Sequence, residues 1–536
     1  MTVNLGLVNQ SREVPGVSGP KVVVIGAGMG GLAAGAILSR RGFDVTIVER
    51  SRQVGGKLRT VDAGGRPIDS GPTVLTMKWV FDAVLEQAGG RSSDLPGLTR
   101  ATTLARHFWP ARECLDLKAD PEASADAIGR FAGAREADGF RRFTAAARSV
   151  YRTLEQNFLK ASEPSLTSIV ADRLLRPGDL LGIRPFSKLW PELGRYFRDP
   201  RLQQLFARYA TYCGASPYLA PATLMLIAHV EQEGVWLVDG GMMGLAEALA
   251  ARARSNGATI RLDTQVGRIG LAGGRTAFVE LADGERLAAD AIVFNADLKA
   301  LARGGFGAEL SRAVPEAHGA EPSLSAVTWS VVARTSGARL ARHTVFFSGD
   351  YRAEFDALIG QRRLPKRPTV YVCAQDRDSD GNGVDGRPER LLCLINAPPV
   401  GEALNDADID QAGRTVFDTL RNMGLAVEWM DTPPVVTSPR DFARLFPASE
   451  GALYGRAIHG WKASFERPGV RSRVPGLYLA GGGVHPGAGL PMVALSGLNA
   501  ARCLEEDWIS NGRFHRGGIS GGTSTGSATT GGTRSR

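Results

Sequence analysis

The chain of 536 residues lacks several features that would assign it to a familiar class. It has no uninterrupted apolar run of roughly 18 residues, so no transmembrane helix is predicted. Its N-terminus has no basic segment followed by an apolar core, which argues against a secretory signal peptide. No repeat with the period of a solenoid is present. The length predicts two or three globular domains.

Cysteine is scarce, and its spacing is uninformative about metals. No CxxC pair and no histidine cluster is present, so we expect no metal site. Scattered free thiols are typical of a reducing compartment, which favours a cytoplasmic location. The cysteines are Cys114, Cys213, Cys373, Cys393 and Cys503.

The formal net charge of +9 is too small for this length to indicate nucleic-acid binding. Four arginines and no acidic residue fall within residues 511–536, a Gly/Ser/Thr-rich tail that we expect to be disordered. Residues 1–20 are expected to form a flexible lead-in. No basic patch with stacking aromatics stands out, so a nucleic-acid partner is not predicted. Attraction to an anionic membrane surface is equally compatible with the charge.

Three separated segments have α/β character: residues 21–72, 235–297 and 476–505. The longer segments 73–234 and 298–475 lie between them. We therefore predict that the chain leaves one α/β layer and returns to it twice, which indicates a discontinuous domain with large insertions.

The first segment carries the strongest motif. An apolar run at 22–25 predicts a buried parallel strand, and small residues at 32–40 predict a helix. Between them stand glycines that permit a tight turn, the approach of a pyrophosphate and close helix–strand packing. These glycines are Gly26, Gly28, Gly30 and Gly31. The pattern G-x-G-x-x-G in this context predicts a dinucleotide site.

A second predicted strand, 44–48, ends at Glu49, which follows Gly31 by 18 residues. A carboxylate at this strand end can accept hydrogen bonds from both ribose hydroxyls and would repel a 2′-phosphate. Gly55, Gly56 and Lys57 come next, and they resemble the GG-Lys/Arg extension of flavoprotein oxidoreductases related to amine oxidases. That resemblance places the glycine pair under the flavin side of the cofactor and favours FAD.

The other two segments extend this pattern. In the second, Gly240-Gly241 precedes a predicted helix at 245–254. The flavoprotein resemblance places the backbone near Val266, in this same segment, against the adenine. The third contains LAGGGVHPGAGLPMVALSG at 479–497, with a predicted strand at 477–480.

This glycine run is expected to complete the flavin site. It includes Gly482 and Gly483 and leads to a predicted helix from Met492, whose free N–H groups would face the flavin. Relatives of this fold carry an acidic residue after these glycines. Here Val484-His485 stands instead.

Six stretches together resemble the bacterial-type carotenoid desaturases, the phytoene desaturase family. They span roughly residues 20–505 and are VVVIGAGMGGLAAGAIL, GPTVLTMKWVFDAV, RYATYCGASPYLAPATL, HVEQEGVWLVDGGMMGLAEAL, HTVFFSGDYRAEFDAL and HPGAGLPMVALSG. The ending LPMVALSG is most similar to the 1-hydroxycarotenoid 3,4-desaturase branch.

The resemblance implies an α/β fold: a discontinuous, Rossmann-like FAD-binding domain of the amine oxidase/carotenoid desaturase type. It further implies an inserted α+β substrate domain and a helical membrane-contacting part. The activity it implies is FAD-dependent formation of a C=C bond in a C40 polyene, with a 1-hydroxycarotenoid as the substrate.

Hydride removal suits this reaction, because an allylic C–H bond is not acidic but the resulting cation is spread over the polyene. A weak base can then take the second hydrogen as a proton. The candidates are Glu231, His229 and His485, and each can instead be a hydrogen-bonded structural residue.

A substrate that dissolves in the bilayer requires contact with the membrane, so we expect a peripheral protein on the inner membrane. Residues 171–208 mix Leu, Phe and Trp190 with basic residues, and prolines divide them into short helices. This segment is either an interfacial contact at a tunnel mouth or a helical lid with a solvated charged face.

Several alternatives stay open at this point. The chain could be a phytoene desaturase that acts stepwise, or another flavin oxidase of this fold acting on an amine or a porphyrinogen. It could also bind a flavin without catalysis. The electron acceptor, whether a quinone, oxygen or another carrier, is not readable from the residues.

Overall fold

The computed structural model describes residues 19–164, 187–430 and 432–511. Nearly all of the predicted flexible lead-in (1–18), nearly all of the predicted disordered tail (512–536) and part of the 171–208 segment lie outside the described residues.

The secondary structure of the described residues alternates strands and helices along the chain. In order, the strands are β1 (Lys21–Ile25), β2 (Asp44–Val48), β3 (Thr60–Ala63), β4 (Arg66–Asp69), β5 (Leu98–Arg100), β6 (Thr103–Phe108), β7 (Cys114–Lys118), β8 (Trp236–Val238), β9 (Thr259–Arg261), β10 (Val266–Ala272), β11 (Arg275–Leu281), β12 (Arg286–Ala288), β13 (Ala291–Phe294), β14 (Ser325–Gly337), β15 (His343–Phe346), β16 (Val370–Ala374), β17 (Glu389–Ala397), β18 (Leu425–Trp429), β19 (Val435–Thr437) and β20 (Leu477–Leu479). The α-helices are α1 (Met29–Arg40), α2 (Lys78–Gln87), α3 (Pro121–Ala132), α4 (Ala134–Leu154), α5 (Leu189–Leu193), α6 (Pro200–Ala207), α7 (Leu226–Glu233), α8 (Met243–Ser255), α9 (Leu298–Ala302), α10 (Tyr351–Phe355), α11 (Asp406–Asn422), α12 (Pro439–Leu445) and α13 (Leu490–Ser510).

A parallel sheet of five strands has the order β20-β13-β1-β2-β9. Its strands come from three separated stretches, 21–48, 259–294 and 477–479. The central strand β1 is buried along almost its whole length, as expected for a parallel strand covered on both faces. Helix α1 packs closely on this sheet, because Gly35 leaves room for the side chain of Ile47.

The strands predicted at 22–25, 44–48 and 477–480 are present, but three helices begin earlier than predicted. One of them is α8, which begins at Met243 rather than residue 245. Helix α1 begins at Met29 rather than residue 32, because packing overrides the poor helix propensity of Gly30 and Gly31. Helix α13 begins at Leu490 rather than Met492, since the first turn of a helix tolerates the missing N–H of Pro491.

A second sheet has the order β18-β14-β17-β16-β15-β6-β7, with β19 also paired to β14. Its pairs are antiparallel except for β15 with β6. Helix α11 covers one face, where Val416 and Leu420 join an apolar cluster with Val327 and Val331. The other face supplies side chains to the cavity described below.

Smaller elements connect the two sheets. The hairpin β3–β4 belongs to the first predicted domain segment, yet it bonds to the second sheet: Asp69 and Gln375 exchange two hydrogen bonds of 2.9 and 2.7 Å. Strand β8 pairs with β5, and β10–β12 form a separate antiparallel sheet. The exact domain boundaries therefore stay a prediction.

Among the helices of the described residues, none is long and apolar enough to cross a bilayer. The described part of the 171–208 segment contains α5, α6 and the turn that follows. Trp190 is half-buried in it, with its ring 4.6 Å from that of Tyr218 and near Tyr351. Both interpretations of this segment, an interfacial contact or a lid, stay predictions.

Candidate active site

A cavity of about 1130 Å³ is lined by residues of both sheets. The parallel sheet contributes the carboxyl ends of β1 and β2 and the residues after β13. The second sheet contributes Val345, Tyr371, Leu394 and Asn396. One cavity thus joins the predicted dinucleotide site to an additional chamber.

The glycines of the first glycine loop have two different roles. Gly26, with a φ of +99°, and Gly28 line the cavity. Gly30 and Gly31 pack helix α1 instead: a Cβ on Gly31 would overlap the carbonyl oxygen of Gly26. A Cβ on Gly30 would lie 2.8 Å from Oδ1 of Asn295. The motif therefore presents a bare backbone to a ligand and holds the helix start against it.

Glu49 lies at the end of β2 and lines the cavity. Its Oε2 accepts a hydrogen bond from the N–H of Ala27 and its Oε1 from the N–H of Ser51, each at 2.8 Å. The side chain is buried, so these two bonds fix its direction. A carboxylate has about four lone-pair sites, which leaves capacity for the predicted ribose hydroxyls.

The pair Gly55-Gly56 lies directly against the first glycine loop and lines the cavity. The N–H of Gly55 donates to the carbonyl oxygen of Ala27 at 2.8 Å. Gly56 has a φ of +62°, and its Cβ would lie 3.1 Å from the Cα of Gly28. Glycine is required at this close approach of two backbones.

Lys57 is half-buried at the cavity wall. Its Nζ donates to the carbonyl oxygen of Leu453 at 2.7 Å. Burial lowers the pKa of Lys57; the charge of Asp297 opposes this effect and that of Arg467 adds to it.

The second glycine loop lies next to the first. Gly482, Gly483 and Met492 line the cavity, as does Val266 on β10. Asn295, directly after β13, connects the two loops: its Nδ2 donates to the carbonyl oxygen of Gly26 at 3.1 Å. A Cβ on Gly481 would lie 3.0 Å from its Oδ1. In the sequence, Asn295 is the first residue of an Asn-Ala-Asp stretch that follows a strand. That pattern gives no sign of the bridging role of Asn295.

His485, a predicted candidate base, is completely buried and is not among the described residues that line the cavity. Its Nε2 bonds to the carbonyl oxygen of Phe158 at 2.6 Å. Burial lowers the pKa of His485 to about 4, with the bond to Phe158 opposing and the charge of Arg467 adding to the effect.

The other two candidate bases share helix α7 but face different surroundings. The carboxylate of Glu231 lines the cavity and is 3% exposed. His229 does not line the cavity within the described residues; its ring packs on Tyr151, and its Nε2 lies 3.6 Å from Glu233. Burial lowers the pKa of His229, and the charge of Glu233 opposes this effect.

Glu231 belongs to a buried polar cluster that the sequence did not reveal. The hydroxyl of Tyr209 donates to its Oε2 at 2.6 Å, and that of Tyr212 to its Oε1 at 2.7 Å. Nη1 of Arg208 donates to the hydroxyl of Tyr212 at 2.6 Å. Burial lowers the pKa of Arg208, but Tyr212 and Glu231 raise it above the usual value, so arginine stays charged. The sequence signal for this cluster was the stretch RYATYC, residues 208–213, which contains the arginine and both tyrosines.

Arg467 is a second missed residue, buried at the cavity wall. Its Nη1 donates to the carbonyl oxygen of Gly482 at 2.7 Å, and its Nη2 to the backbone oxygens of Tyr454 and Arg456. Burial lowers the pKa of Arg467 to about 10, which still leaves it cationic at neutral pH. It brings a positive charge to the loop where the sequence has Val484-His485.

A third polar group lies on the second sheet. The hydroxyl of Tyr371 lies 2.7 Å from Oγ1 of Thr73 and 2.8 Å from Nδ1 of His343. Tyr371 and Thr73 line the cavity. Burial, with the charges of Arg342 and Arg208, lowers the pKa of His343 to about 3, so its ring is neutral. No cluster of three or more His, Cys, Asp or Glu side chains within the described residues could hold a metal ion.

These residues fit a bound FAD. The loops at Gly26–Gly28 and Gly55–Gly56 form a cradle in which a Cβ would collide with backbone or with Asn295. The start of α1 supplies free N–H groups for phosphates, and Glu49 supplies a fixed carboxylate. Predicted contacts at these residues and at Val266, Gly482, Gly483 and Met492 stay predictions.

Comparison with known proteins agrees with this site. Residues 29–504 match the family described as flavin containing amine oxidoreductase. The chain belongs to that family, and its cofactor is FAD.

Individual relatives identify the members of this family to which the chain is similar. The chain is 50% identical over 518 residues to hydroxyneurosporene desaturase of Rubrivivax gelatinosus, covering 96% of this chain and 98% of the relative. It is 45% identical over 494 residues to hydroxyneurosporene desaturase of Cereibacter sphaeroides, covering 92% and 99%. An oxidoreductase of Methanosarcina mazei has a similar fold, with a TM-score of 0.56 at 17% identity over 90% of this chain and all of that one.

Proposed function

We propose that this protein is an FAD-dependent carotenoid desaturase that forms the C3=C4 double bond of a 1-hydroxycarotenoid. The observation that carries the proposal is one cavity that extends from the two glycine loops to an apolar chamber with Glu231 in its wall. The relatives named hydroxyneurosporene desaturase support the same substrate class.

The chamber suits a polyene because apolar side chains dominate its wall. Contributors include Leu154, Phe158, Leu224, Ile227, Val345 and Leu394. Such a wall holds the hydrocarbon in one orientation and excludes water from the reacting bond.

Desaturation takes a hydride from the allylic C4 and a proton from C3, and the electrons of the C3–H bond form the new double bond. Bound FAD supplies the hydride acceptor. Glu231 is the base that we propose for the C3 proton, because of the three predicted candidates it alone is among the described cavity-lining residues. Its two tyrosine partners hold the carboxylate in place and leave lone pairs for the proton.

We further propose that the protein works at a membrane surface, since a C40 polyene resides in the bilayer. The net charge of +9 supports contact with anionic lipid. Flotation with anionic liposomes at low salt, weakened by high salt and weak on neutral liposomes, is the expected result. Equal flotation with anionic and neutral liposomes would contradict the proposal that electrostatic attraction contributes to membrane binding.

The test of the function uses purified protein loaded with FAD and mixed with liposomes that carry a 1-hydroxycarotenoid or phytoene. A red shift of absorbance with the hydroxylated substrate alone supports the proposal. Stepwise desaturation of phytoene would instead indicate a phytoene desaturase. Conversion of neither, with peroxide released from polyamines, would indicate an amine oxidase. Varying a quinone against oxygen in the same assay identifies the electron acceptor.

A further inference from the structure

Arg208 is a buried cation whose hydrogen-bonding capacity is only partly used. Its side chain is 7% exposed, and it lines the cavity. Nη1 donates to Tyr212, but Nε and Nη2 have no hydrogen-bond acceptor among the described residues. A buried donor without an acceptor is costly, so a ligand oxygen at this point would be strongly held.

The carboxylate of Glu231 faces this guanidinium across a gap. Nη2 of Arg208 lies 3.9 Å from Oε2 of Glu231, which is too far for a hydrogen bond. One oxygen atom placed to the side of the line that joins these two atoms can be about 2.9 Å from the nitrogen and about 2.7 Å from the carboxylate. A hydroxyl group suits both sides, because it accepts from the guanidinium and donates to the carboxylate.

The turn that begins at Arg208 extends toward the second glycine loop. Arg208 begins a 3-10 turn, Arg208–Cys213, that is followed by Gly214. A Cβ on Gly214 would overlap the ring of Tyr454. The carbonyl oxygen of Tyr454 in turn accepts from Arg467, which also donates to Gly482. Tyr454 and Arg467 therefore connect the Gly214 end of the turn to the second glycine loop.

We propose that the gap between Arg208 and Glu231 binds the C1 hydroxyl group of the carotenoid and so determines substrate specificity. The inference rests on the proposed function. Because C2 alone separates C1 from C3, a hydroxyl held here brings the C3–H bond to the same carboxylate that receives the proton. One subsite thus selects the hydroxylated end and places its C3–C4 bond for reaction.

A substrate without the hydroxyl would leave Nη2 of Arg208 without a hydrogen-bond acceptor in the described cavity wall. Sites built to hydrogen-bond a substrate hydroxyl discriminate strongly against analogues that lack it. We expect kcat/KM for the 1-hydroxycarotenoid to exceed that for the 1-deoxy analogue of the same polyene by at least about 100-fold.

The test measures this ratio of kcat/KM in FAD-loaded wild type, Arg208→Met and Arg208→Lys. In Arg208→Met we expect the ratio to fall by a factor of about 100, chiefly through the hydroxylated substrate. Arg208→Lys retains the buried charge and covers the case in which Arg208→Met does not fold. The single ammonium group of lysine cannot donate to both Tyr212 and the substrate hydroxyl in the geometry of a guanidinium. The ratio of kcat/KM in Arg208→Lys should therefore fall about tenfold.

Two further variants serve as comparisons. Arg195→Met removes an exposed arginine after α5 that is not among the described cavity-lining residues, so the ratio should stay at the wild-type value. Tyr371→Phe removes a different hydroxyl at the cavity wall. A ratio that collapses in Tyr371→Phe but not in Arg208→Met would overturn the assignment.

The outcomes separate this inference from the function on which it rests. Wild type that desaturates both substrates equally, or an Arg208→Met variant that folds, binds FAD and keeps the full ratio, refutes the subsite and leaves the function standing. Wild type that converts neither carotenoid refutes the function itself and the subsite with it.

Discussion

At the residue scale, the variant Glu231→Gln tests the proposed proton removal separately from cofactor binding. Glu231→Gln keeps the shape and hydrogen-bonding ability of the side chain but removes the basic carboxylate. We expect kcat to fall by about 100- to 10,000-fold, because general bases contribute effects of this size. FAD content should be unchanged, since Glu231 is not part of either glycine loop.

The matched control for Glu231→Gln is His229→Gln on the same helix, whose side chain is not among the described cavity-lining groups. Its turnover should stay within a few-fold of wild type. A Glu231→Gln enzyme that retains full turnover, or a His229→Gln enzyme that loses it, would contradict the assignment of the base.

A second residue-scale prediction concerns acid stability. Burial lowers the pKa of His485 to about 4, whereas histidine in the unfolded chain takes up this proton near pH 6.5. The unfolded state therefore binds more protons as the pH falls through this window, and the free energy of unfolding decreases. The loss from His485 is about 1.4 kcal/mol per pH unit, or about 3 kcal/mol across the window.

His485→Gln retains a donor for the carbonyl of Phe158 but does not titrate. Its free energy of unfolding should therefore depend less steeply on pH between about pH 6.5 and about pH 4 than that of wild type. Denaturant unfolding of the two FAD-loaded proteins at several pH values measures this slope. Equal slopes would show that His485 is not the group responsible.

At the element scale, the contact of α1 with α13 depends on two glycines. A Cβ on Gly497 would overlap the carbonyl oxygen of Gly30, and Ala33 leaves no space on the other side. We expect Gly497→Ala to lower the free energy of unfolding by about 2 kcal/mol, because two backbones must separate. Part of the bound FAD should also be lost, since α1 begins at the first glycine loop.

Helix α3 offers a matched glycine with room for a methyl group. The Cβ of Gly129→Ala would lie 3.5 Å from the Cβ of Ala137, an ordinary contact. Alanine favours the helix by up to about 1 kcal/mol, so this variant should unfold at an equal or higher temperature than wild type. Thermal unfolding of Gly497→Ala and Gly129→Ala provides the comparison. Equal unfolding temperatures for the two variants would contradict the argument that α1 and α13 are closely packed at Gly497.

At the scale of the whole molecule, the cavity that we predict to hold FAD joins parts of the chain that are far apart in sequence. The cavity is lined by residues from Ile25 to Val493 and by both sheets. FAD at about 100 times its Kd should therefore add about 2.7 kcal/mol to the free energy of unfolding of the folded protein. Removal of the flavin should lower the Tm and increase cleavage by proteases.

Riboflavin is the control for this experiment, because it lacks the phosphates and the adenosine that the first glycine loop and Glu49 are predicted to bind. It should raise the Tm of the flavin-free protein much less than FAD does. An equal rise with riboflavin would contradict the dinucleotide mode of binding.

The helix that carries Glu231 and His229 shows where prediction from sequence ends. Residues two apart on an α-helix point in different directions, so the sequence can indicate that the two side chains meet different surroundings. It cannot tell which of them faces the cavity. That depends on how α7 packs against distant parts of the chain, including α4 and the turn Arg208–Cys213.

The sequence by itself determined the strands of the parallel sheet, the first glycine loop and the position of Glu49 after β2, because these depend on short-range patterns of apolar and glycine residues. Only the tertiary structure decided that Asn295 joins the two loops and that Arg467 lies beside the second. It also decided that Arg208 and Glu231 face each other across a gap. These pairs come from segments far apart in the chain, and their meeting follows from the packing of buried surfaces, which no local pattern encodes.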